Sequence, residues 1–246
     1  MDRSDRAKQC LLEQLHDEKS LPILDVGCGY GELLTLLSQD GFSNLTGIDG
    51  DAKAIERVYA SIPTMKDAVI FGDMRQMPYS DQSFSAALCL DVIEYLKGKE
   101  GGDKKTAHEI ARVLKPDGLF VGSVPYTGMF CFLSTENIMS RLRFQKPKNH
   151  HYSVREIREL LNDDFVSIQF ERRGMGLSQL VFLVTYPLRP FFRPSLTRFQ
   201  KVVSQWEFSR QFGIFSYHLF FYARKRSPFF DNTTEERQSM TARKGR

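Results

Sequence analysis

Between residues 22 and 125 the sequence alternates short apolar runs with amphipathic stretches. The runs are PILDV, NLTGID, DAVIFGD, SFSAALCLD and GLFVGSVPY. Each is short and nearly continuous in its apolar character, as strands buried on both faces are. The stretches between them include GELLTLLSQDG, DAKAIERVYA and KKTAHEIARVL, with apolar residues at helical spacing. Repeated strand–helix–strand alternation leaves few architectures, since each parallel strand needs a crossover that packs back on the sheet. Residues 3–17 read as a preceding amphipathic helix. SVREIRELL and FVSIQFER follow as helix and strand, and GIFSYHLFFYARK closes the pattern as a seventh strand. Ser153 and Glu156 have capping-box spacing. No clear crossover helix separates the last two strands, so the seventh is expected to run antiparallel.

The expected fold is therefore α/β: a three-layer Rossmann-like sandwich around a seven-stranded, mostly parallel sheet with an antiparallel last strand. The 246 residues, 41% of them hydrophobic, support one full core. A single domain over residues 1–226 is expected, with insertions at about 126–150 and 174–212 forming a substrate cap. Residues 227–246 read as a disordered basic tail.

The net charge of +4 is unevenly placed. Residues 174–222 and 223–246 each sum to +4, so the remaining 173 residues sum to −4. A basic nucleic-acid groove in the main domain is thereby disfavoured. The start, MDRSDRAKQC, has no apolar block of the kind a secretion signal carries. Cys10, Cys28, Cys89 and Cys131 are widely spaced and form no CxxC pair, so neither a metal site nor a disulfide framework is expected. A cytoplasmic setting fits best.

LDVGCGYGEL places Gly27, Gly29 and Gly31 at alternate positions between the first strand and its helix. Such a loop lets backbone pass close to a ligand and aims amides at an anionic group. Asp49 ends the second strand 22 residues after Gly27, where a carboxylate can accept from both ribose hydroxyls. Glycines and acid together indicate a nucleoside-bearing ligand. A dinucleotide loop reads G-x-G-x-x-G, whereas this one reads G-x-G-x-G, although Tyr95–Lys99 gives a Y-x-x-x-K match.

LDVGCGYGEL, GID, GDMRQMPYSDQSFSAALCLDVIEYL and ARVLKPDGLFVGSVPY occur in this order. Together they resemble the class I S-adenosylmethionine-dependent methyltransferases, in the small-molecule branch similar to the ubiquinone/menaquinone enzymes. The resemblance spans roughly residues 20–173 and the final strand. It implies S-adenosylmethionine as cofactor and transfer of its methyl group to a small molecule. It also implies that Asp25, Gly27, Cys28, Gly29 and Gly31 cradle the methionine part, with Asp25 helping to hold its ammonium. Asp49 and Gly50 would take the ribose, and Asp73 and Met74 the adenine. Asp91 would border the methyl-transfer site. Many relatives carry Glu-His where this chain has Glu94-Tyr95, which weakens a base at that position. Binding of the cofactor by a non-catalytic partner protein, and an NAD(P)-dependent oxidoreductase, are the competing readings.

Methyl transfer from a sulfonium is an in-line displacement, so a base is needed only for a protonated acceptor. His150 and His151, in a loop expected to reach over the site, are the candidates for that role, with Asp91 as a third candidate catalytic group. The 174–222 segment holds 13 aromatics in 49 residues, together with Arg189, Arg193, Arg198, Lys201 and Arg210. It reads either as a peripheral membrane contact that serves a hydrophobic or lipid-like acceptor, or as a helical lid over the site or a dimer contact.

Overall fold

The computed structural model describes residues 2–98, 100–128, 150–174 and 189–227; of the long helix within the last range it describes the side chains of 196–199 and 202–208. The expectations placed on 129–149, 175–188 and 228–246 lie outside the described residues. Strands β1 (Ile23–Val26), β2 (Leu45–Asp49), β3 (Val69–Phe71), β4 (Phe84–Leu90), β5 (Leu114–Pro125), β6 (Phe165–Arg173) and β7 (His218–Lys225) form one sheet. Its order is β3-β2-β1-β4-β5-β7-β6. The pairs β1–β2, β2–β3, β1–β4 and β4–β5 are parallel. Strand β7 runs antiparallel, as expected, and lies between β5 and β6, although a helix, Arg189–Phe208, does separate β6 from β7 in the chain.

Helices α1 (Arg3–Gln14), α2 (Glu32–Gln39), α3 (Ala52–Ser61), α4 (Gly102–Val113), α5 (Val154–Leu161) and α6 (Arg189–Phe208) accompany the sheet. Because side chains alternate across a strand, Ile23 and Leu24 enter opposite cores. One core joins Ile23, Leu119 and Phe220 to Leu11 of α1, Leu34 and Leu37 of α2 and Val58 of α3. The other joins Leu24, Phe120 and Phe221 to Ile110 of α4 and Ile157 and Leu161 of α5. These are the two faces of a three-layer sandwich. The helix starts follow capping chemistry: Asp51 accepts from the Lys53 amide at 2.9 Å, and Ser153 and Glu156 close a reciprocal capping box.

Three boundaries differ from the pattern. α1 stops at Gln14 because His16 and Asp17 take left-handed backbone angles of 50° and 62°. KPDG does not divide α4 from β5; it forms an exposed bulge inside β5, where the pairing with β4 shifts register. GIFSY begins with a 3-10 turn over Gly213–Phe215, so β7 starts only at His218.

The fold sets the site through its strand order. From β1 the chain steps outward to β2 and β3; from β4 it steps the other way to β5. Loops leaving β1 and β4 therefore diverge, and a crevice opens beyond their carboxyl ends. Gly27 follows β1 and Asp91 follows β4, which places both at that crevice. No helix among the described residues is long and apolar enough to cross a membrane.

Candidate functional site

A cavity of about 680 Å³ occupies the crevice. Gly27, Asp49, Gly50, Asp51 and Met74 line one end, with Val92 packed on Gly27, and Leu90, Tyr95, Leu96, Pro125 and Tyr217 line much of the other. Asp91, Glu94, Arg3 and His218 complete the wall. A smaller cavity of about 250 Å³ adjoins it and is lined by Asp25, Gly27, Cys28, Gly29, Tyr30 and Glu32, among others. Gly27, Leu90 and Arg3 border both.

The glycine loop is held by specific geometry. Gly27 has φ +79°, and a Cβ there would sit 2.3 Å from a methyl of Val92. Only glycine fits, because backbone conformation and packing both exclude a side chain. Gly29 has φ +52°, yet a Cβ there would meet nothing within 4 Å. Its amide donates to Asp49 Oδ2 at 2.7 Å, while Asp49 Oδ1 accepts from the Asp51 amide at 2.8 Å. Asp49 thus ties the glycine loop to the start of α3. A carboxylate has about four acceptor positions, so capacity remains for ligand hydroxyls.

Asp25 is the unusual residue of β1. It is 3% exposed in an otherwise apolar strand. Burial, and secondarily the charge of Asp49, push its carboxyl up to about 7. No cation lies within ion-pair distance of it among the described residues. A buried carboxylate facing a cavity without a counter-charge is suited to a cationic ligand. Burial also pushes the neighbouring Cys28 thiol well above its usual range, which makes it an unreactive wall.

At the far end Asp91 is the hub. It has φ +55°, a conformation few non-glycine residues adopt. Ser123 Oγ donates to Asp91 Oδ1 at 2.7 Å, and Arg3 pairs with Asp91 Oδ2. His218 Nδ1 lies 3.8 Å from Asp91 Oδ1. Burial lowers the His218 pKa, against the opposing pull of Asp91, so the ring is neutral at neutral pH. Its rings of contact are Phe208 at 5.0 Å and Tyr217 at 4.8 Å.

Of the site residues expected from sequence, Gly27, Asp49, Gly50, Met74 and Asp91 line the main cavity and Asp25, Gly27, Cys28 and Gly29 the smaller one. Gly31 takes φ +74° before α2 and packs toward Val58, away from both walls. Asp73 is half exposed and pairs with Arg75 Nη2 at 2.8 Å, a partner that holds its carboxyl below the usual range. It does not line the cavity. His150 joins a separate cluster, with Nε2 2.7 Å from Lys97 Nζ and 2.9 Å from Glu156 Oε1. Burial alone would raise Glu156, but bonds from Lys97, Ser153 and His150 outweigh it and bring the carboxyl to about 2. His151 is packed 5.9 Å from Tyr217, and burial lowers its pKa, with the Tyr126 backbone acting in the opposite sense. Neither histidine lines either cavity. Arg3, His218 and Tyr217 do reach the main wall, and the sequence gives no local sign of it: each arrives there through a long-range connection.

The chain's similarity to known proteins agrees with this geometry. Residues 24–122 match the family model described as a methyltransferase domain. A sterol 24-C-methyltransferase of Aspergillus fumigatus is 26% identical over 215 residues, which is 82% of this chain and 52% of that protein. A ubiquinone biosynthesis O-methyltransferase of Rickettsia conorii is 29% identical over 167 residues, 65% of this chain and 55% of that one. The chain therefore spans about half the length of these relatives. Among solved structures, phosphoethanolamine N-methyltransferase 2 of Haemonchus contortus, in complex with S-adenosyl-L-methionine, superposes with a TM-score of 0.63 at 17% identity. That match covers 90% of this chain and 53% of that one. The cyclase SpnF shares the fold too, with a TM-score of 0.56 at 18% identity, covering 91% of this chain and 81% of its own.

Proposed function

We propose, from the match of residues 24–122 to a methyltransferase-domain model, that this chain transfers a methyl group from S-adenosylmethionine to a small, apolar, lipid-like acceptor. The observation that carries the reading is the two-ended cavity: acids and glycines at one end, and at the other Leu90, Leu96, Pro125 and Tyr217 beside Asp91 and His218. When bound, S-adenosylmethionine supplies an electrophilic methyl group on a sulfonium.

The residues present fit that cofactor. Asp25, buried and without a counter-charge, suits the ammonium of the methionine part. A Cβ at Gly29 would meet nothing within 4 Å, so the loop leaves open space on that side. Asp49 has acceptor capacity for two ribose hydroxyls, and Met74 offers a polarizable face to the adenine ring. Asp73 reaches the adenine amino group only by leaving Arg75, an exposed and therefore weak partner. The chain's further task is to align the acceptor and exclude water. Tyr95, Tyr217 and Leu96 do so at the far end. For a hydroxyl acceptor, His218 is better placed to take the proton than His150 or His151, because it is neutral and on the cavity wall.

The lipid-like acceptor is supported by the apolar part of the far wall, which stands beside Asp91, Glu94, Arg3 and His218, and by α6. Phe199, Val202 and Trp206 are exposed at helical spacing, 54%, 57% and 46% accessible. The Arg210 guanidinium lies 4.5 Å over the Trp206 ring. Aromatics beside cations suit the headgroup region of an anionic bilayer, so α6 is proposed as the membrane-facing edge. Flotation with phosphatidylglycerol vesicles, but not with phosphatidylcholine vesicles, is expected. Equal flotation with both, or with neither, contradicts the membrane contact.

A second reading is cofactor binding without methyl transfer, because one fold can serve different functions, as its use by a cyclase shows. Methyl-tritiated S-adenosylmethionine separates the two. Offered a sterol, a polyprenyl hydroxybenzoquinol and phosphoethanolamine, the protein should label an organic-phase acceptor. Label confined to phosphoethanolamine would remove the lipid-like acceptor. Bound S-adenosylhomocysteine with no labelled acceptor would favour the second reading.

A further inference from the structure

The His218 ring is not fixed by a bond to Asp91. Its Nδ1 is buried and has no hydrogen-bond partner among the described residues, and Asp91 Oδ1, at 3.8 Å, is too far for one. The ring also borders two open spaces. One is the main cavity, and the other is a cavity of about 270 Å³ lined by Ser4 of α1 and by Ser204 and Phe208 of α6, among others. Its place therefore depends on the Phe208 and Tyr217 rings packed against it. Phe208 is the last residue of α6, where helix carbonyls lack partners within the helix. Its carbonyl accepts from Arg173 Nη1 at 3.1 Å. Arg173 stands opposite His218 in the register of β6 with β7.

Arg173 is held in turn by Glu171, whose Oε2 accepts from Arg173 Nε at 2.6 Å. The same carboxylate accepts from Arg6 of α1, at 3.0 Å to Oε2 and 2.5 Å to Oε1. Arg6 lies one turn on from Arg3, the partner of Asp91. The Glu171 and Arg173 side chains are only 12% and 11% exposed, and Arg6 is buried. One carboxylate thus fastens both the helix behind His218 and the helix that reaches Asp91. We propose that Glu171, through Arg173 and Arg6, is a positioning residue that sets His218 against Asp91 at the acceptor end. The proposal rests on the reading of His218 as proton acceptor given above. Arg173 suits the task because its Nε and Nη1 serve different partners, a span that a single ammonium does not reproduce. The charged or titratable groups that act on His218 are Asp91, Arg3 and His151. Glu171 and Arg173 are not among these, so a changed His218 titration in their variants reports a moved ring or a moved partner.

The test follows His218 in the full chain by nitrogen NMR of histidine-labelled protein, with its signal identified by its loss in His218→Asn. Arg173→Lys keeps a cation beside Glu171 but loses the bond to the Phe208 carbonyl. Burial is the largest influence lowering His218, so a loosened ring should titrate about half a pH unit or more above wild type. Glu171→Gln releases both arms and should shift at least as far; if it does not fold, Arg173→Lys decides alone. Ile110→Val, which removes one buried methyl group on α4, should leave the titration unchanged. With a polyprenyl hydroxybenzoquinol as acceptor, kcat in Arg173→Lys should fall about tenfold or more. Its S-adenosylhomocysteine affinity should stay within about twofold of wild type. A His218 titration unchanged or lowered in Arg173→Lys, or raised equally by Ile110→Val, would overturn the proposal and leave the methyltransferase reading standing. Parallel losses of kcat and of S-adenosylhomocysteine affinity would overturn it as well. A wild type that transfers no methyl group removes the methyltransferase reading and this proposal with it.

Discussion

The two ends of the main cavity are built in different ways. The glycine end comes from short, consecutive pieces of chain: a strand end, its loop, and the next strand end with its helix cap. Gly29, Asp49 and Asp51 are connected by hydrogen bonds between close neighbours in the fold, and the Gly27 amide donates to the Ile48 carbonyl. The far end is assembled from distant segments: Arg3 of α1, Asp91 after β4, Ser123 and Pro125 of β5, and His218 of β7. Asp91 and Ser123 meet through the pairing of β4 with β5, and His218 joins them because β7 lies beside β5. Local construction makes a cofactor end that many chains can share. Long-range construction leaves the acceptor end free to differ.

Substitutions at the glycine end should sharpen this contrast most. Gly27→Ala combines a strained backbone with a Cβ 2.3 Å from Val92, so a loss of about 2–4 kcal/mol is expected. Gly29→Ala meets open space and should lose only about 1 kcal/mol, from backbone strain alone. Urea midpoints check the pair. Equal losses would show that packing at Val92 does not govern the loop.

Asp49→Ala should come next. It removes the acceptor for the ribose and the tie to the Gly29 amide, and S-adenosylhomocysteine and adenosine should both weaken by roughly 30-fold or more. Calorimetry with the two ligands checks it. Unchanged affinity for adenosine would detach Asp49 from the ribose.

The smallest effect concerns pH. Burial holds the proton on Asp25 up to about pH 7, against 3.8 for the free side chain. Between those values the folded chain binds more protons than the unfolded one, so this group makes stability fall as pH rises from about 4 to 7. Asp25→Asn should flatten that decline. Glu109, Glu156 and Glu171 are held below their usual range, so their contributions are lost below this window and are common to both proteins. Denaturant midpoints of the two proteins across the window give the difference. A constant offset at every pH would show that Asp25 does not titrate there.

Most of the fold was legible because helix and strand periods are local. Seven strands and their helices follow from apolar spacing; β7 is antiparallel as expected, but α6 lies before it where the sequence shows no clear helix. The glycine loop and Asp49 were legible for the same reason. Asp91 was placed correctly at a strand end, but its partners were not visible. Arg3 lies on a polar helix face like any surface arginine, and His218 reads as one more strand residue. The loop position of His150 and His151 pointed toward the cavity, but the capping box at Ser153–Glu156 draws His150 into a cluster with Lys97 instead. The boundary misses at His16, at KPDG and at Gly213 all fall where positive backbone angles or a bulge interrupt a regular pattern.

The central claim is that the glycine end is shaped for the amino-acid-bearing nucleoside and not for a dinucleotide. Calorimetry of the purified chain with S-adenosylhomocysteine and, separately, with NADH tests it most directly. Saturable binding of S-adenosylhomocysteine with none for NADH is predicted. Saturable binding of NADH with none for S-adenosylhomocysteine would contradict the account.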